Sequence, residues 1–575
     1  MIAPLLESKM GYYYEKVKNV NGAEVIDDIY ISNFILNILE IYKRDSDGTE
    51  MLSGEIIFCD GKKAEIELDY KAFSSTRNFI EAIPVKAVFT GSNHHLQKIK
   101  INIDKGKPIR KKLFNTAGRH NKEILMPGIT LNEDGPVENA SNVVKNLNND
   151  HFLSSLPSSW PSKKEHIKAA EAVYKYLPKI NEPAIAGSLI GWNFALPWCD
   201  LIRSDRAWGG FPHFIGYGEA GSGKTQTAKL ISRLNGVDSS YEPFSLPSTR
   251  FSRVHNYSLT NLVPFVVDEY RPEAWKSRVS SQIHEELRNI YNRNSNQRGR
   301  ANLTTKTYSY NAPIILLGED RPRDTTGLEE RMIILNPNKD IVDGRSEYGD
   351  ICKNNFKELQ KAPLETFALP YYSWSLRQDN WLSELDECRQ SIIAFGNDEQ
   401  LDFPERIINN LAILLFGWTK YHQYAEALGI EIEATLLNDT KFDEVIKTVF
   451  YNVMPGGKHF NEFDQLMNFV SIMTNNSIIQ KRIHYSIKNG NRLILRLPDV
   501  LAKAGEYANR TNRSKELLGE DAYRSIIRRL EKDKGSYIIS SSGRGTFREG
   551  QELRGVVIDL DKLEEKLDIE KQVWK

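Results

Sequence analysis

Two short strings in the chain carry residue types suited to handling phosphate and a divalent metal. "GEAGSGKT" runs from Gly218 to Thr225 and fits the pattern G-x-x-x-x-G-K-[ST] without mismatch. Gly218, Gly221 and Gly223 let successive backbone N–H groups turn inward around phosphate oxygens. Lys224 offers a point charge to the β and γ phosphates. Thr225 offers a hydroxyl to Mg²⁺, and Ser222 and Gln226 flank the pair at the positive end of the helix that follows. "PFVVDEY", from Pro264 to Tyr270, sets Asp268 and Glu269 at the end of an apolar run. Asp268 is suited to holding Mg²⁺ through water, and Glu269 to polarising an attacking water. Either string alone has an ordinary reading, a glycine-rich turn or a solvated acidic turn. Together and in this order they predict hydrolysis of ATP with Mg²⁺.

Further residues fall where such chemistry needs them. The apolar run Pro313–Leu317 reads as the next buried strand, and it ends at Glu319, a candidate sensor of the γ-phosphate of the kind that additional-strand ATPases of the AAA+ class carry. Arg331 precedes another strand-like run. It is either a surface partner of Glu329 or Glu330, or a cation that stabilises the γ-phosphate of a neighbouring subunit. Arg406, opening an apolar helix, is a candidate second sensor or a solubilising charge. Between the acidic pair and the Glu319 strand, "RGRANLTTKTYSYN" reads as a hairpin around Thr304, Thr305 and Lys306. Lys306 at its tip, with Arg298 and Arg300 at its base, would meet phosphates of a single strand, unless the hairpin is an ordinary solvated one.

The elements that must position these residues follow from the pattern. "FPHFIGY" predicts a strand before the phosphate loop and "TQTAKLISRL" a helix after it. Lys163 to Trp198 predicts two helices leading into this core. A helix with Ile283, Leu287, Ile290 and Tyr291 on one face follows the acidic pair. "ERIINNLAILLFGW" predicts a later helix with Ile407, Ile408, Leu411, Leu414, Leu415 and Trp418 on one stripe. In the N-terminal region, Ile29 to Tyr42 reads as a helix. "GEIIFCDGKKAEIELDY" reads as a hairpin turning at Asp60-Gly61, and "VKAVFTG" and "QKIKINID" as strands. Leu131 to Pro161, rich in Asn, Ser, Pro and Asp, reads as a boundary or long surface loop.

Near the C-terminus, "EDAYRSIIRRLEKDKG" predicts a helix with Tyr523, Ile526, Ile527 and Leu530 facing a core. Arg524, Arg528 and Lys532 form a second, basic ridge, with Arg529 alongside. "LPDVLAKAGEYANR" predicts a helix before it, and "SYIISSSGRGTFREGQELRGVVIDL" a strand, a Gly-rich basic turn and a strand after it. Helix, helix and two-stranded wing is the order of a winged helix-turn-helix, which meets duplex DNA or a protein partner.

The chain has 575 residues, too many for one core, which predicts several domains. The expected layout is multidomain α/β. A mixed α/β N-terminal domain spans 1–150, an AAA+ P-loop ATPase core 160–362, a helical subdomain 363–453 and a C-terminal winged-helix domain 454–575. Lys plus Arg and Asp plus Glu both number 76, so the formal charge is zero and no general nucleic-acid coat is implied. The four cysteines are far apart in sequence, without zinc or disulfide spacing. No apolar run is long enough to span a membrane, and the start lacks the form of a signal peptide, so a cytoplasmic protein is expected.

The series "GYGEAGSGKT", "PFVVDEY", the basic hairpin, "IILLGED", "LEERMIIL" and a terminal winged helix resembles the MCM-like self-loading replication initiator–helicases of Gram-positive mobile elements. These include the Rep proteins of staphylococcal pathogenicity islands and the helicases of chromosomal cassettes. The resemblance is concentrated in residues 160 to 450. It implies a hexameric ring that recognises an origin duplex, melts it and translocates 3′ to 5′ on single-stranded DNA, with a primase or other replication protein as partner. Carried over, Lys224, Thr225, Asp268 and Glu269 serve hydrolysis, Arg331 acts in trans and Lys306 rides the DNA. Glu319 departs from the polar amide of many relatives. The competing readings are a regulatory or defence ATPase whose winged domain binds protein, and a protein remodeller. A remodeller's pore loop carries an aromatic tip, where this hairpin has Thr-Thr-Lys.

Overall fold

The computed structural model describes all residues except 1–3, 21–22, 148, 219, 247, 273–274, 276, 300–304, 320–326, 338, 344–348, 402, 433–438, 454–461, 511–516, 533–535, 548–549, 568, 570 and 575. The chain is multidomain α/β and divides into two compact units. The first comprises Met1–Pro322, Arg331–Ile392 and Ile408–Val445, and the second Arg323–Glu330, Ile393–Ile407 and Ile446–Lys575.

The first unit contains both the N-terminal sheets and a parallel sheet that carries the glycine-rich loop and the acidic pair. A five-stranded mixed sheet runs in the order Asn142–Val144, Ile109–Phe114, Phe34–Arg44, Glu50–Phe58, Lys63–Asp69. The hairpin expected at Asp60-Gly61 is present, with Gly61 at φ +79°, where a β-carbon would be strained. Several other N-terminal expectations fail. Ile29–Tyr42 is not a helix: Phe34–Arg44 is a strand with alternating burial, and its period slips at a bulge between Ile38 and Glu40. That slip brings apolar residues to spacings that imitate a helix, while the run of Ile favours the pleated form. Conversely, Gln97–Asp104 lies in the helix Asn93–Lys105, which buries Leu96, Ile99 and Ile103 and leaves Ile101 exposed. Alternating Ile and Lys fit a strand, but Leu96 completes a helical face. Val85–Gly91 forms no strand beyond a single bridge from Phe89 to Ser32. The stretch from Leu131 to Pro161 is more than a loop, since Asn142–Val144 joins the five-stranded sheet and His151–Ser155 is a helix.

Around Ala117 the N-terminal sheets are stitched to the core built on the parallel sheet. Ala117 N donates to Leu259 O (2.7 Å) and Asn261 N to Ala117 O (3.0 Å). Asn261 also brackets Arg119 through both its side-chain oxygen and nitrogen (2.8 Å each). Gly118, at φ +127°, sits where a β-carbon would lie 2.0 Å from Asn261 Oδ1, so no other residue fits.

The parallel sheet is five-stranded, in the order Phe244–Ser245, Phe265–Tyr270, Ile314–Gly318, His213–Tyr217, Met332–Leu335. The strand after the acidic pair is thus inserted between the acidic-pair strand and the phosphate-loop strand. Its five residues are all buried, as the apolar run requires. The two helices before the phosphate loop are Lys163–Tyr176 and Pro183–Ala195. With the short helix that follows, Pro183–Ser204 is long and apolar enough on average to cross a membrane, although no unbroken apolar run suggests it. In its most apolar 18-residue window 89% is buried, as in a core helix. The helix Ser277–Tyr291 buries Ile283, Leu287, Ile290 and Tyr291, the face expected.

Glu405–Leu428 is helical, but its apolar surface is not one stripe. Ala412, Ile413 and Phe416 are fully buried beside Leu411 and Leu414, while Ile408 and Leu415 are only partly so. A helix packed on most sides shows no clean amphipathic period.

The second unit contains the C-terminal core. The helices Glu462–Asn475, Leu497–Arg510 and Glu520–Leu530 pack on an antiparallel sheet ordered Tyr485–Lys488, Arg492–Leu495, Glu552–Asp559, Ile538–Thr546. Tyr523, Ile527 and Leu530 are buried, and Arg524, Arg528 and Lys532 are exposed.

Candidate ATP-hydrolysis site

The phosphate loop connects the strand His213–Tyr217 to the helix Lys224–Leu234. Gly218, Gly221 and Gly223 have φ of +137°, +85° and +82°, conformations that turn the loop inward and that L residues rarely adopt. A β-carbon on Gly218 would also come within 2.5 Å of Asn336 Oδ1. Gly223 caps the helix, so its free N–H groups begin at Lys224. Lys224 Nζ donates to the Gly218 carbonyl (2.7 Å) and to Ser222 Oγ (3.1 Å), folded back over the loop it belongs to. Burial draws the Lys224 ammonium below its usual range, with the Glu319 and Asp268 carboxylates opposing that shift. Ser222 is buried and Gln226 is exposed.

The acidic pair enters from two strands away. Thr225 Oγ1 donates to Asp268 Oδ2 (3.1 Å). A hydroxyl and a carboxylate in mutual contact beside the loop fit Mg²⁺, which keeps most of its waters and takes few protein ligands. Bound there, Mg²⁺ would neutralise phosphate charge. Glu269 is exposed, has φ +60°, and accepts a hydrogen bond from Ser245 Oγ (2.5 Å). Pairing with the inserted strand shifts register between Val267 and Tyr270, so the strand bends where the glutamate leaves it. Such a backbone costs about 1–3 kcal/mol and clusters at functional sites. Glu319 follows the inserted strand, and Arg271 Nη2 holds it (2.9 Å). Glycines, lysine, threonine, acidic pair and Glu319 all gather at the carboxyl ends of the parallel strands, where open α/β sheets take ligands.

Arg331 stands at the opposite end. It immediately precedes Met332, which pairs with His213 at the start of the phosphate-loop strand. The strand from His213 to Tyr217 separates it from the loop by roughly 13 Å of rise. Its guanidinium carbon lies 5.6 Å from the centre of the Tyr291 ring. Glu330, one of the two surface partners considered for Arg331, pairs with Arg406 (Nη1 to Oε2, 2.8 Å).

The hairpin is present, and its register moves Lys306. The strands Ser295–Gly299 and Thr305–Ser309 pair antiparallel with Arg298 opposite Lys306. Lys306 is therefore within the returning strand and not at the tip. Thr305, Thr307 and Tyr308 favour extended backbone and carry the strand past the residues read as a turn. Arg300 lies outside the described residues, as do the side chains of Arg298, Lys306 and Arg529. Arg524 is bonded to Glu520 one turn earlier (2.5 Å).

Four contacting residues went unread in the sequence. Ser245 is a lone serine in "YEPFSLPS" with no local signal. Asn336 and Lys339 come from beyond the edge strand, and Lys339 Cε would lie 3.7 Å from a β-carbon on Gly221. Arg271 directly follows the acidic pair in "DEYR", and that adjacency was legible.

No protein-family model and no curated protein sequence matches the chain. Among solved structures, the chain is similar to the active helicase Cch of SCCmec type IV, with a TM-score of 0.59 and 13% identity over 99% of both chains. The two share a fold along their whole length. The apo A form of the NrS-1 C-terminal region matches 63% of this chain and 87% of that one, at 11% identity and a TM-score of 0.22.

Proposed function

We propose that the chain is an ATP-driven DNA helicase of the AAA+ class and the replication initiator of a mobile element, working as a hexameric ring on single-stranded DNA. The observation that carries the reading is the gathering of Lys224, Thr225, Asp268 and Glu269 at one end of a sheet whose inserted strand follows directly from a β-hairpin. The fold shared with an active cassette helicase supports it. In the proposed cycle, the loop N–H groups and Lys224 hold the phosphates, Thr225 and Asp268 hold Mg²⁺, and Glu269 polarises water. Arg331, too far from its own phosphate loop, serves the adjacent subunit. The hairpin with Lys306 follows the strand, at 3′ to 5′ polarity. The order of elements from Glu462 to Asp559 supports a winged helix that binds origin duplex through Arg524, Arg528 and Lys532.

The test separates the two DNA contacts. Lys306→Ala should slow unwinding of a forked duplex and blunt stimulation of ATPase by single strands, while origin binding survives. Reversing the charges of Arg524, Arg528 and Lys532 should do the opposite. A wild-type protein that neither binds nor unwinds DNA with ATP and Mg²⁺ would favour the regulatory ATPase and exclude the helicase.

A further inference from the structure

The first unit has a cleft of ≈ 1150 Å³ between the N-terminal sheets and the ATPase core. One wall carries Arg44, Lys112, Phe114, His120 and Lys122; the other carries Asp200, Arg293, Ser309 and Asn311. Arg293 stands two residues before the hairpin's first strand, and Ser309 ends its second, so the cleft opens at the hairpin's base. The walls are fixed to each other by the Ala117–Asn261 stitching described above. The cleft is larger than the pockets that hold small molecules and is lined mainly by polar groups, unlike them.

Three features bear on what it takes. Phe114 and His120, both half-buried, form an aromatic shelf with ring centres 4.4 Å apart, and Lys112 Nζ lies 4.6 Å from the Phe114 ring. Arg119 is 7% exposed, donates to the carbonyls of Pro197 (3.2 Å) and Asn121 (3.3 Å), and makes no ion pair among the described residues. Burial pushes its guanidinium down to about 10, with the Asp200 and Asp379 carboxylates opposing the shift. Asn311, 6% exposed, has a carboxamide oxygen with no hydrogen-bond partner among the described residues. Buried polar atoms of this kind call for a ligand or water.

We propose that this cleft holds a stretch of single-stranded nucleic acid next to the hairpin, with phosphates against Lys112, Lys122 and Arg293 and a base on the Phe114–His120 shelf. A cationic groove with aromatic side chains is how sequence-independent single-strand binders work. Asp45 and Asp200 pair with Lys112 (2.6 Å) and Arg293 (3.0 Å). The Lys112 pair is half-exposed, and pairs of that kind contribute up to about 1 kcal/mol, so a phosphate can take the place of the carboxylate. Asn311 extends the contact to the strand that carries Lys306. This site rests on the helicase reading and adds a second contact surface to it.

The test is binding of fluorescent oligothymidylate to the full-length protein with a non-hydrolysable ATP analogue and Mg²⁺, across a salt series. Two changes are compared with wild type: Lys112→Gln with Lys122→Gln, and Phe114→Leu. The double variant should lower the salt slope by at least about 1.4, two contacts at about 0.7 each. Phe114→Leu should weaken binding by about 5-fold or more with little change in slope. Binding of a fluorescent ATP analogue, read in the same samples, should stay at the wild-type level. If wild type binds the oligonucleotide and both variants match it, the cleft assignment is overturned and the helicase reading stands. Parallel losses of nucleotide and strand binding also count against the cleft. If wild type does not bind, both fall together.

Discussion

The Ser245 hydroxyl donates to the Glu269 carboxylate across 2.5 Å, from a strand that pairs Ser245 with Asp268. The contact reaches from the edge of the parallel sheet to the residue assigned to water activation. Because Glu269 already occupies a left-handed backbone conformation, the hydrogen bond fixes a side chain whose position the backbone has strained. In this arrangement the carboxylate is committed to Ser245, and polarising a water requires part of that bond to be released.

Glu269→Gln is therefore expected to keep nucleotide binding and to lose turnover by about 100-fold or more. Ser245→Ala should bind nucleotide normally and raise hydrolysis without DNA several-fold, since the glutamate is no longer held. Lys224→Ala should lose nucleotide binding. Steady-state ATPase assays and titration with a fluorescent ATP analogue check all three. Normal turnover in Glu269→Gln would remove that residue from the chemistry.

Arg331 and the phosphate loop lie at opposite ends of neighbouring strands. If the arginine serves the next subunit, Arg331→Ala should assemble and bind ATP yet hydrolyse it about 10³-fold more slowly. Mixing it with Lys224→Ala protein should restore activity at interfaces that combine one intact loop with one intact arginine. Failure of the mixture, with monomers on a sizing column, would argue against a shared site.

The loop and strand geometry of the candidate phosphate site is the most legible part of the sequence because it is local. Glycines at fixed offsets and a carboxylate pair behind a buried strand are set by backbone geometry within a few residues. Ser245 was invisible because it acts across a strand pairing that no local pattern records. The N-terminal region was misread for a related reason. One bulge between Ile38 and Glu40 shifts the alternation of a strand until it resembles a helix, and Ile99 and Ile103 lie on both a strand face and a helix face. Thr304 and Thr305 read as a turn in sequence and so suggest a tip at Lys306, whereas the strand's register sets Lys306 opposite Arg298.

His213 predicts an acid-sensitive core. Its Nε2 donates to the Leu287 carbonyl (2.8 Å), and burial, helped by Arg203 and Arg331, pushes its pKa down to about 3. An unfolded histidine titrates near 6.5. Above that value the ring is neutral in both states and pH has no effect through it. Below it the unfolded chain takes up a proton that the native ring refuses, so stability falls as pH drops, by up to about 1.4 kcal/mol per unit, until about pH 3. Denaturant unfolding at about pH 8, 6 and 5 should show this loss, and His213→Gln should flatten it. An equal pH dependence in the variant would assign the loss to other buried histidines.

The helix Ser277–Tyr291 connects these observations, because it is bonded to the strand end that carries the acidic pair and runs into the hairpin. His284 Nε2 meets the Tyr270 hydroxyl (2.8 Å, buried), one residue beyond Glu269. Glu286 takes a two-pronged bond from Arg253 (2.7 and 2.9 Å), with both residues 2% exposed, and Arg253 also donates to the Ser248 carbonyl, three residues beyond Ser245. Four residues after the helix ends, the hairpin strand begins at Ser295. A stiff element held at Glu269's neighbour and at Ser245's loop can pass a displacement of either to the hairpin. Tyr270→Phe removes one of these holds, a buried hydrogen bond of a kind that contributes about 0.5–1.5 kcal/mol. The variant should bind ATP and hydrolyse it without DNA within a few-fold of wild type, while stimulation by single strands and unwinding of a forked duplex fall together. If melting temperature drops but single strands stimulate hydrolysis as in wild type, the Tyr270–His284 contact only supports the fold, and coupling to the hairpin runs through Arg253 and Glu286 or by another route.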